Sequence, residues 1–189
     1  MDGETKDDIS CKKYRTPHEY SNLQTFIDNL PYIMMVILGA VIFITGLKMS
    51  VLGWTAFVLF ILYGIVGAFW IIVFVCPYCH YYDTKACPCG YGQIAGKLLP
   101  KKDGDLFMEK FKKHIFVLIP LWIIPILAGL LFLISSFSWL MLALIIVFAI
   151  DSFIILPLIS RRYGCAHCPQ KDTCPWMGGK FSKKKSTVA

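Results

Sequence analysis

Seven of the chain's eight cysteines fall in two short segments, VCPYCHYYDTKACPCGYG at 75–92 and CAHCPQKDTCPW at 165–176. The first holds Cys76, Cys79, Cys87 and Cys89, and the second holds Cys165, Cys168 and Cys174. Each opens with Cys-x-x-Cys and continues through Asp-Thr to Cys-Pro. Two residues between cysteines allow a tight turn to direct both sulfurs at one ion while intervening backbone N–H groups point at those sulfurs. Such pairs in a reducing compartment favour a metal or redox site over a structural disulfide framework. Zinc takes four cysteines, or three and a histidine, and His80 and His167 lie inside the segments as fourth ligands. Iron-sulfur clusters also use Cys-x-x-Cys with Cys-Pro. The local grouping puts Cys76, Cys79, Cys87 and Cys89 in one site and Cys165, Cys168 and Cys174 with a histidine in another. The alternative brings the two Cys-x-x-Cys pairs to one shared site. Local grouping is the expectation, because it needs no particular helix packing. Cys11 stands apart and receives no role.

The elements that must position these segments are membrane helices. The chain has 189 residues, 57% hydrophobic and 16% charged, and its apolar residues are gathered into long runs. Crossing a hydrocarbon core takes about 20 helical residues. Pro31 to Leu47, Val51 to Val75, Ile115 to Ile134 and Phe137 to Ile159 fit that length, and Asp151 is the one charged residue within them. Of nineteen Lys and Arg, only Lys48 lies between spans one and two, and none lies between spans three and four. Basic residues are retained on the cytoplasmic side of short loops. Both termini and the cysteine segments are therefore expected at the cytoplasmic face of the cell membrane. The same rule accounts for the positive net charge, so no nucleic-acid partner is inferred.

The fold expected is all-α and integral to the membrane, with four transmembrane helices in two tandem repeats, each a helix hairpin followed by a cysteine motif. Cys76 and Cys165 are eighty-nine residues apart, each close to a helix end. Two spans per half give both halves one orientation, with an axis along the membrane normal. The organisation reads as an N-terminal cytoplasmic segment with an interfacial helix (1–30), a first hairpin (31–75), and a Cys-rich loop with a second interfacial helix (76–113). A second hairpin (114–159), the second cysteine motif (160–179) and a basic tail (180–189) follow. Thr16-Pro17-His18-Glu19 has the form of a capping box for the first interfacial helix. Pro31 is expected to turn the chain into the bilayer. Gly90, Gly92, Gly96 and Pro100 argue against regular structure there, and Lys101 to Asp105 reads as a turn. Leu106, Phe107 and Phe111 among lysines make the second interfacial helix. Asp83-Thr84 and Asp172-Thr173 suit side-chain-capped turns before the later cysteines.

Spans two and four end in C-termini on the cysteine side, and that end of the helix dipole disfavours thiolates. A bound cation reverses the balance, with Lys85, Lys97, Arg161, Arg162 and Lys171 offsetting residual negative charge. Within the membrane, Asp151 lies ten residues before Arg161, roughly 15 Å deep at about 1.5 Å per residue. Tyr63 on span two reaches a similar depth, making the two a candidate intramembrane cofactor or proton site. The packing reading, which is the expectation, has the carboxyl satisfied by Tyr63 or Ser152. Pro120, Pro125 and Pro157 are expected to kink spans three and four, and Gly64 with Ala68 to form a close-packing face.

Cys76-Pro77-Tyr78-Cys79 resembles the active-site tetrapeptide of glutaredoxins, where the motif opens a helix; here it follows one, and the likeness covers four residues. Four spans with two cysteine motifs facing the cytoplasm are also similar in layout to membrane ferredoxin-like quinol dehydrogenases. The cysteine spacing differs from theirs, so the likeness is one of architecture. No nucleophile, base and oxyanion arrangement is visible. The function expected is an electron-transfer or redox-sensing subunit with an iron-sulfur centre, partnered by the lipid bilayer and other membrane or cytoplasmic subunits. The alternatives are a structural zinc scaffold or assembly protein, and a thiol-disulfide oxidoreductase.

Overall fold

The computed structural model describes residues 19–165, and within them every regular element is helical. The elements run α1 (Asn22–Gly46), α2 (Val51–Phe74), a 3-10 turn (Cys76–Tyr78), α3 (Tyr91–Leu98), α4 (Phe107–Ile115), α5 (Ile119–Ser135) and α6 (Trp139–Ile150). Two further 3-10 turns (Gly104–Leu106 and Phe116–Leu118), a π-helical turn (Asp151–Ile155), α7 (Leu156–Ile159) and a second π-helical turn (Ser160–Cys165) complete them. Four stretches, Asn22–Gly46, Val51–Tyr78, Gly104–Ser135 and Trp139–Arg162, are long and apolar enough to cross a membrane. Large apolar side chains stand exposed along all four, from Leu23 and Phe26 on α1 to Leu131 on α5 and Ile146 on α6. Exposure on this scale suits a lipid solvent and the architecture of a multi-pass membrane protein.

α1 is the centre of the bundle, contacting α2, α5, α6 and the π turn at Asp151. The core joins Met35, Val36, Ala40 and Ile42 of α1 to Phe60, Leu121, Met141, Ile145 and Phe148 of the other three spans. Small residues let α1 and α2 approach. A Cβ on Gly64 would meet Val36 side-chain atoms at 2.8 Å, and one on Gly39 would meet the Phe60 ring at 2.4 Å. Gly64 thus makes the expected close contact, and Gly67 packs against Leu118.

Three expectations are corrected. Glu19, Tyr20 and Ser21 are not helical, and α1 starts at Asn22 behind a capping box made by Ser21 and Gln24. Thr16, Pro17 and His18 lie outside the described residues. Pro31 does not turn the chain; it sits buried inside a continuous α1, where it removes one N–H without ending the helix. The stretch expected to be irregular contains α3, because Gly92 and Gly96 serve close packing there. A Cβ on Gly92 would stand 2.4 Å from the Tyr81 carbonyl oxygen, and one on Gly96 would strike the Asp83 side chain at 2.5 Å. Gly90 supplies the N-cap at φ +73°, a left-handed conformation that glycine adopts without penalty.

The second interfacial helix is present as α4 and runs through a 3-10 turn (Phe116–Leu118) into α5. Trp70 on α2 donates its indole N–H to His114 Nδ1 at 3.2 Å, and Phe74 stacks on the same imidazole, which pins α4 to the end of α2. Span four leaves α-helical geometry at Asp151, six residues before Pro157.

Candidate cysteine site

The site begins where α2 ends. The 3-10 turn at Cys76–Tyr78 is closed by the Cys79 N–H donating to the Cys76 carbonyl at 3.0 Å, with Pro77 stiffening the exit. Cys76 is buried in an apolar cluster with Ile72 of α2 and Ala95 of α3, so α3 packs directly on the end of the membrane helix. Tyr78 lies beneath two ammonium groups, Lys102 at 5.3 Å and Lys110 at 5.9 Å from its ring centroid, which ties the turn to the segment before α4 and to α4 itself.

The chain then turns back through Asp83 and Thr84, as their types imply. Asp83 adopts φ +55° and donates its N–H to the Gly92 carbonyl. Thr84 donates its hydroxyl to the Tyr81 carbonyl, and its own carbonyl accepts from the Cys87 N–H. Cys87 and Cys89 arrive at the N-terminus of α3, with their sulfurs 3.7 Å apart. The Gly92 N–H donates to Cys87 Sγ at 3.2 Å.

This reverses the electrostatic expectation for half of the site. Cys76 follows a helix C-terminus, but Cys87 and Cys89 occupy a helix N-terminus, where the dipole and free N–H groups favour negative sulfur. The Cys89 thiol is the largest influence on Cys87, donating to it. With N–H groups of Gly92, Gly90 and Cys89, it outweighs burial and lowers the Cys87 pKa to about 7. The Cys89 pKa is raised well above its ordinary value, first because its proton is held by Cys87 and then by burial. The pair therefore reads as a Cys87 thiolate accepting from a Cys89 thiol.

Helix α1 holds this turn from the other side. Asn29 donates its Nδ2 to the Cys89 carbonyl at 3.0 Å and to the Thr25 carbonyl at 2.8 Å. The Tyr20 N–H donates to the Lys85 carbonyl at 3.0 Å. Tyr91 stands in the same corner, its hydroxyl pKa pushed up first by burial and then by the neighbouring ionisable groups Cys89, Tyr32, Cys76 and Asp28. Asp28 has a buried Oδ1 without a hydrogen-bond partner among the described residues. Sequence reading missed Asn29, Tyr91 and Asp28. The one available signal was a polar Asp-Asn pair at the head of an otherwise apolar span.

His80 is exposed and meets the Tyr81 ring edge-on; burial of part of its ring and then Lys101 lower its pKa. Among the described residues, no three His, Cys, Asp or Glu side chains are grouped as metal ligands. The pair Cys87 and Cys89 does fit: tetrahedral ligation at about 2.3 Å places two sulfurs about 3.8 Å apart. Cys76, packed on Ile72 and Ala95, and Cys79 belong to the same fold unit without converging on that pair. Cys165 ends the last described turn, and Cys168, Cys174 and His167 lie outside the described residues, as do Cys11, Lys171, Asp172, Thr173 and the basic tail.

In the membrane, Tyr63 makes its hydrogen bond to a partner other than Asp151. Its hydroxyl donates to the Val117 carbonyl at 2.6 Å, bridging α2 to the turn before α5. Asp151 is 7% exposed and Ser152 2% exposed; Asp151 Oδ2 and Ser152 Oγ have no hydrogen-bond partner among the described residues. Comparison of the chain with protein-family models, with curated proteins and with solved structures gives no match.

Proposed function

We propose that the chain is a four-span protein of the cell membrane carrying a cysteine-ligated metal centre, an iron-sulfur centre, at its cytoplasmic face. It would act as an electron-transfer or redox-sensing subunit of a larger membrane complex. The observation that carries this reading is the Cys87–Cys89 turn, two sulfurs 3.7 Å apart at a helix N-terminus with a backbone N–H on one of them. Binding of the ion would draw Cys76 and Cys79 onto the Cys87–Cys89 pair as the local ligands, and Cys165, Cys168 and Cys174 with His167 or His80 would supply a second set. A bound iron-sulfur centre supplies one-electron transfer at the membrane surface. The chain's own contribution is to hold negative sulfur. N–H groups of Cys89, Gly90 and Gly92 face Cys87, and Lys85, Lys97, Arg161 and Arg162 lie on the same side in sequence order. The cytoplasmic placement rests on the eighteen basic residues gathered on that side of the four spans.

The test is anaerobic purification in detergent followed by visible absorption and metal analysis. Coloured protein with iron and acid-labile sulfide is the expected result. Colourless protein with stoichiometric zinc would refute electron transfer and leave a zinc scaffold that assembles or docks a membrane complex.

The same turn favours a second reading, thiol-disulfide exchange. A helix N-terminal thiolate beside a thiol is the arrangement that makes a cysteine reactive, and Cys87 and Cys89 have it. That reading requires metal-free protein whose Cys87 and Cys89 are oxidised and reduced together.

A further inference from the structure

We propose that Asp151 and Ser152 form an intramembrane site for an exchangeable proton, independent of what the cysteines hold. Within the described residues these are the two buried polar or charged side chains, 7% and 2% exposed. They lie side by side about ten residues, or roughly 15 Å, inside Arg161. Their burial as ordinary packing residues needed Tyr63 or Ser152 as partner. Tyr63 is committed to Val117, and the Ser152 hydroxyl lacks a partner itself. A carboxyl oxygen and a hydroxyl left unpaired in hydrocarbon are costly, so their retention at this depth points to a role.

The backbone supplies an independent observation. Asp151–Ile155 is π-helical, a widened turn that is rare and concentrated at functional sites. Pro157 opens the helix at the carbonyl four residues before it, Phe153; the widened turn begins two residues earlier, at Asp151. The elements packed on this turn are α6, α7 and α1. α6 and α7 carry no titratable side chain, and α1 carries Asp28 and Tyr32. The Tyr32 hydroxyl donates to the Gly64 carbonyl at 2.7 Å. No cation on these elements can hold a carboxylate in a fixed ion pair. The ligand such a site takes is the smallest one: a proton carried by the carboxyl, beside a hydroxyl that donates to the carboxylate or accepts from the acid.

A hydrophobic carbodiimide, which adds to protonated carboxyls from the lipid phase, tests this on the full chain in lipid nanodiscs. Adducts are mapped by peptide mass spectrometry across a pH series. The expected result is an adduct on Asp151 whose rate falls about tenfold per pH unit above its midpoint. Ser152→Ala should displace that midpoint, and Asp151→Asn should remove the adduct while remaining monodisperse. Should Asp151→Asn fail to fold, the wild-type series decides alone. Folded wild-type protein with no Asp151 adduct at any pH would overturn the proposal. So would labelling that ignores pH, or labelling blocked by sodium at constant pH, which would make the site one for a metal cation. Repeating the series with chelator-stripped protein separates this outcome from the fate of the cysteine site.

Discussion

Replacing Cys89 by alanine removes the largest influence on the Cys87 thiolate, its thiol donor. In the wild-type chain the Cys87 pKa lies at about 7 against an ordinary 9.0. A full return to the ordinary value would cut the thiolate fraction at pH 7 from about one half to about one hundredth. Nucleophilicity per thiolate rises with pKa through a Brønsted coefficient of about 0.4–0.5, recovering roughly eightfold of that loss. The net effect is about sixfold slower alkylation at pH 7 and, because Cys87 is ionised in both proteins at high pH, up to about eightfold faster alkylation near pH 10. Burial of Cys87, which raises its pKa, and the N–H groups of Gly92, Gly90 and Cys89, which lower it, both remain and oppose each other, so these factors give the scale of the change. The assay is iodoacetamide labelling of chelator-stripped protein, with Cys87 followed by mass spectrometry against pH. Crossing rate profiles are expected, and Cys89→Ser, which restores a donor, should move the profile back. Parallel profiles would refute the thiolate assignment, as would Cys89 labelling ahead of Cys87 in the wild type.

Gly92→Ala sets a helix-propensity gain of about 1 kcal/mol against an overpacking cost of about 1–3 kcal/mol. The new Cβ would press on the rigid Tyr81 carbonyl at 2.4 Å, so the loss wins. Faster amide exchange in α3 reports it, while Gly104→Ala, whose nearest contact is 3.6 Å, should leave exchange unchanged. Asn29→Leu deletes both Nδ2 bonds and should destabilise the Cys89 turn by about 1–2 kcal/mol, read as faster proteolysis between Thr84 and Tyr91 with the spans intact. Tyr63→Phe leaves the Val117 carbonyl without its hydroxyl donor and should cost about 1 kcal/mol of thermal stability in detergent. It should leave carbodiimide labelling of Asp151 unchanged; a change there would mean that Tyr63 serves the carboxyl after all.

The four spans were legible because lipid imposes one rule on every residue of a long run, and length with apolarity is enough to read it. α2 was expected at Val51 to Val75 and runs Val51–Phe74. Pro31 was misread because proline's local penalty is one lost hydrogen bond, whereas α1 gains contacts with three other spans along its length. Gly92 and Gly96 were misread for a related reason. A glycine is a breaker only where nothing packs on it, and here Tyr81 and Asp83 occupy the space a Cβ would take. The cysteines were legible as a set from their spacing. Their electrostatics were not, because the sign of the field at Cys87 depends on α3, which the same glycines concealed.

What holds the cysteine turn follows from where its anchors lie. Asn29 belongs to α1, Ile72 to α2, and Trp70, which fixes α4 through His114, to α2 as well. A loop of this length has little core of its own: Ala95 and Cys76 pack on Ile72 of α2, and its glycines pack on the Tyr81 carbonyl, the Asp83 side chain and Thr25 of α1. Its geometry is therefore set by the spacing of α1 and α2, whose near approach is governed by Gly64 on Val36 and Gly39 on Phe60. Widening that spacing should loosen the Cys87 site before it unfolds the bundle, because the Asn29 bond to Cys89 joins α1 to the loop that continues from α2 and breaks first. Gly64→Ala provides the test, with Cys87 alkylation at pH 7 as readout. A slower rate with the spans intact is expected, and an unchanged rate would show that the loop holds its own shape.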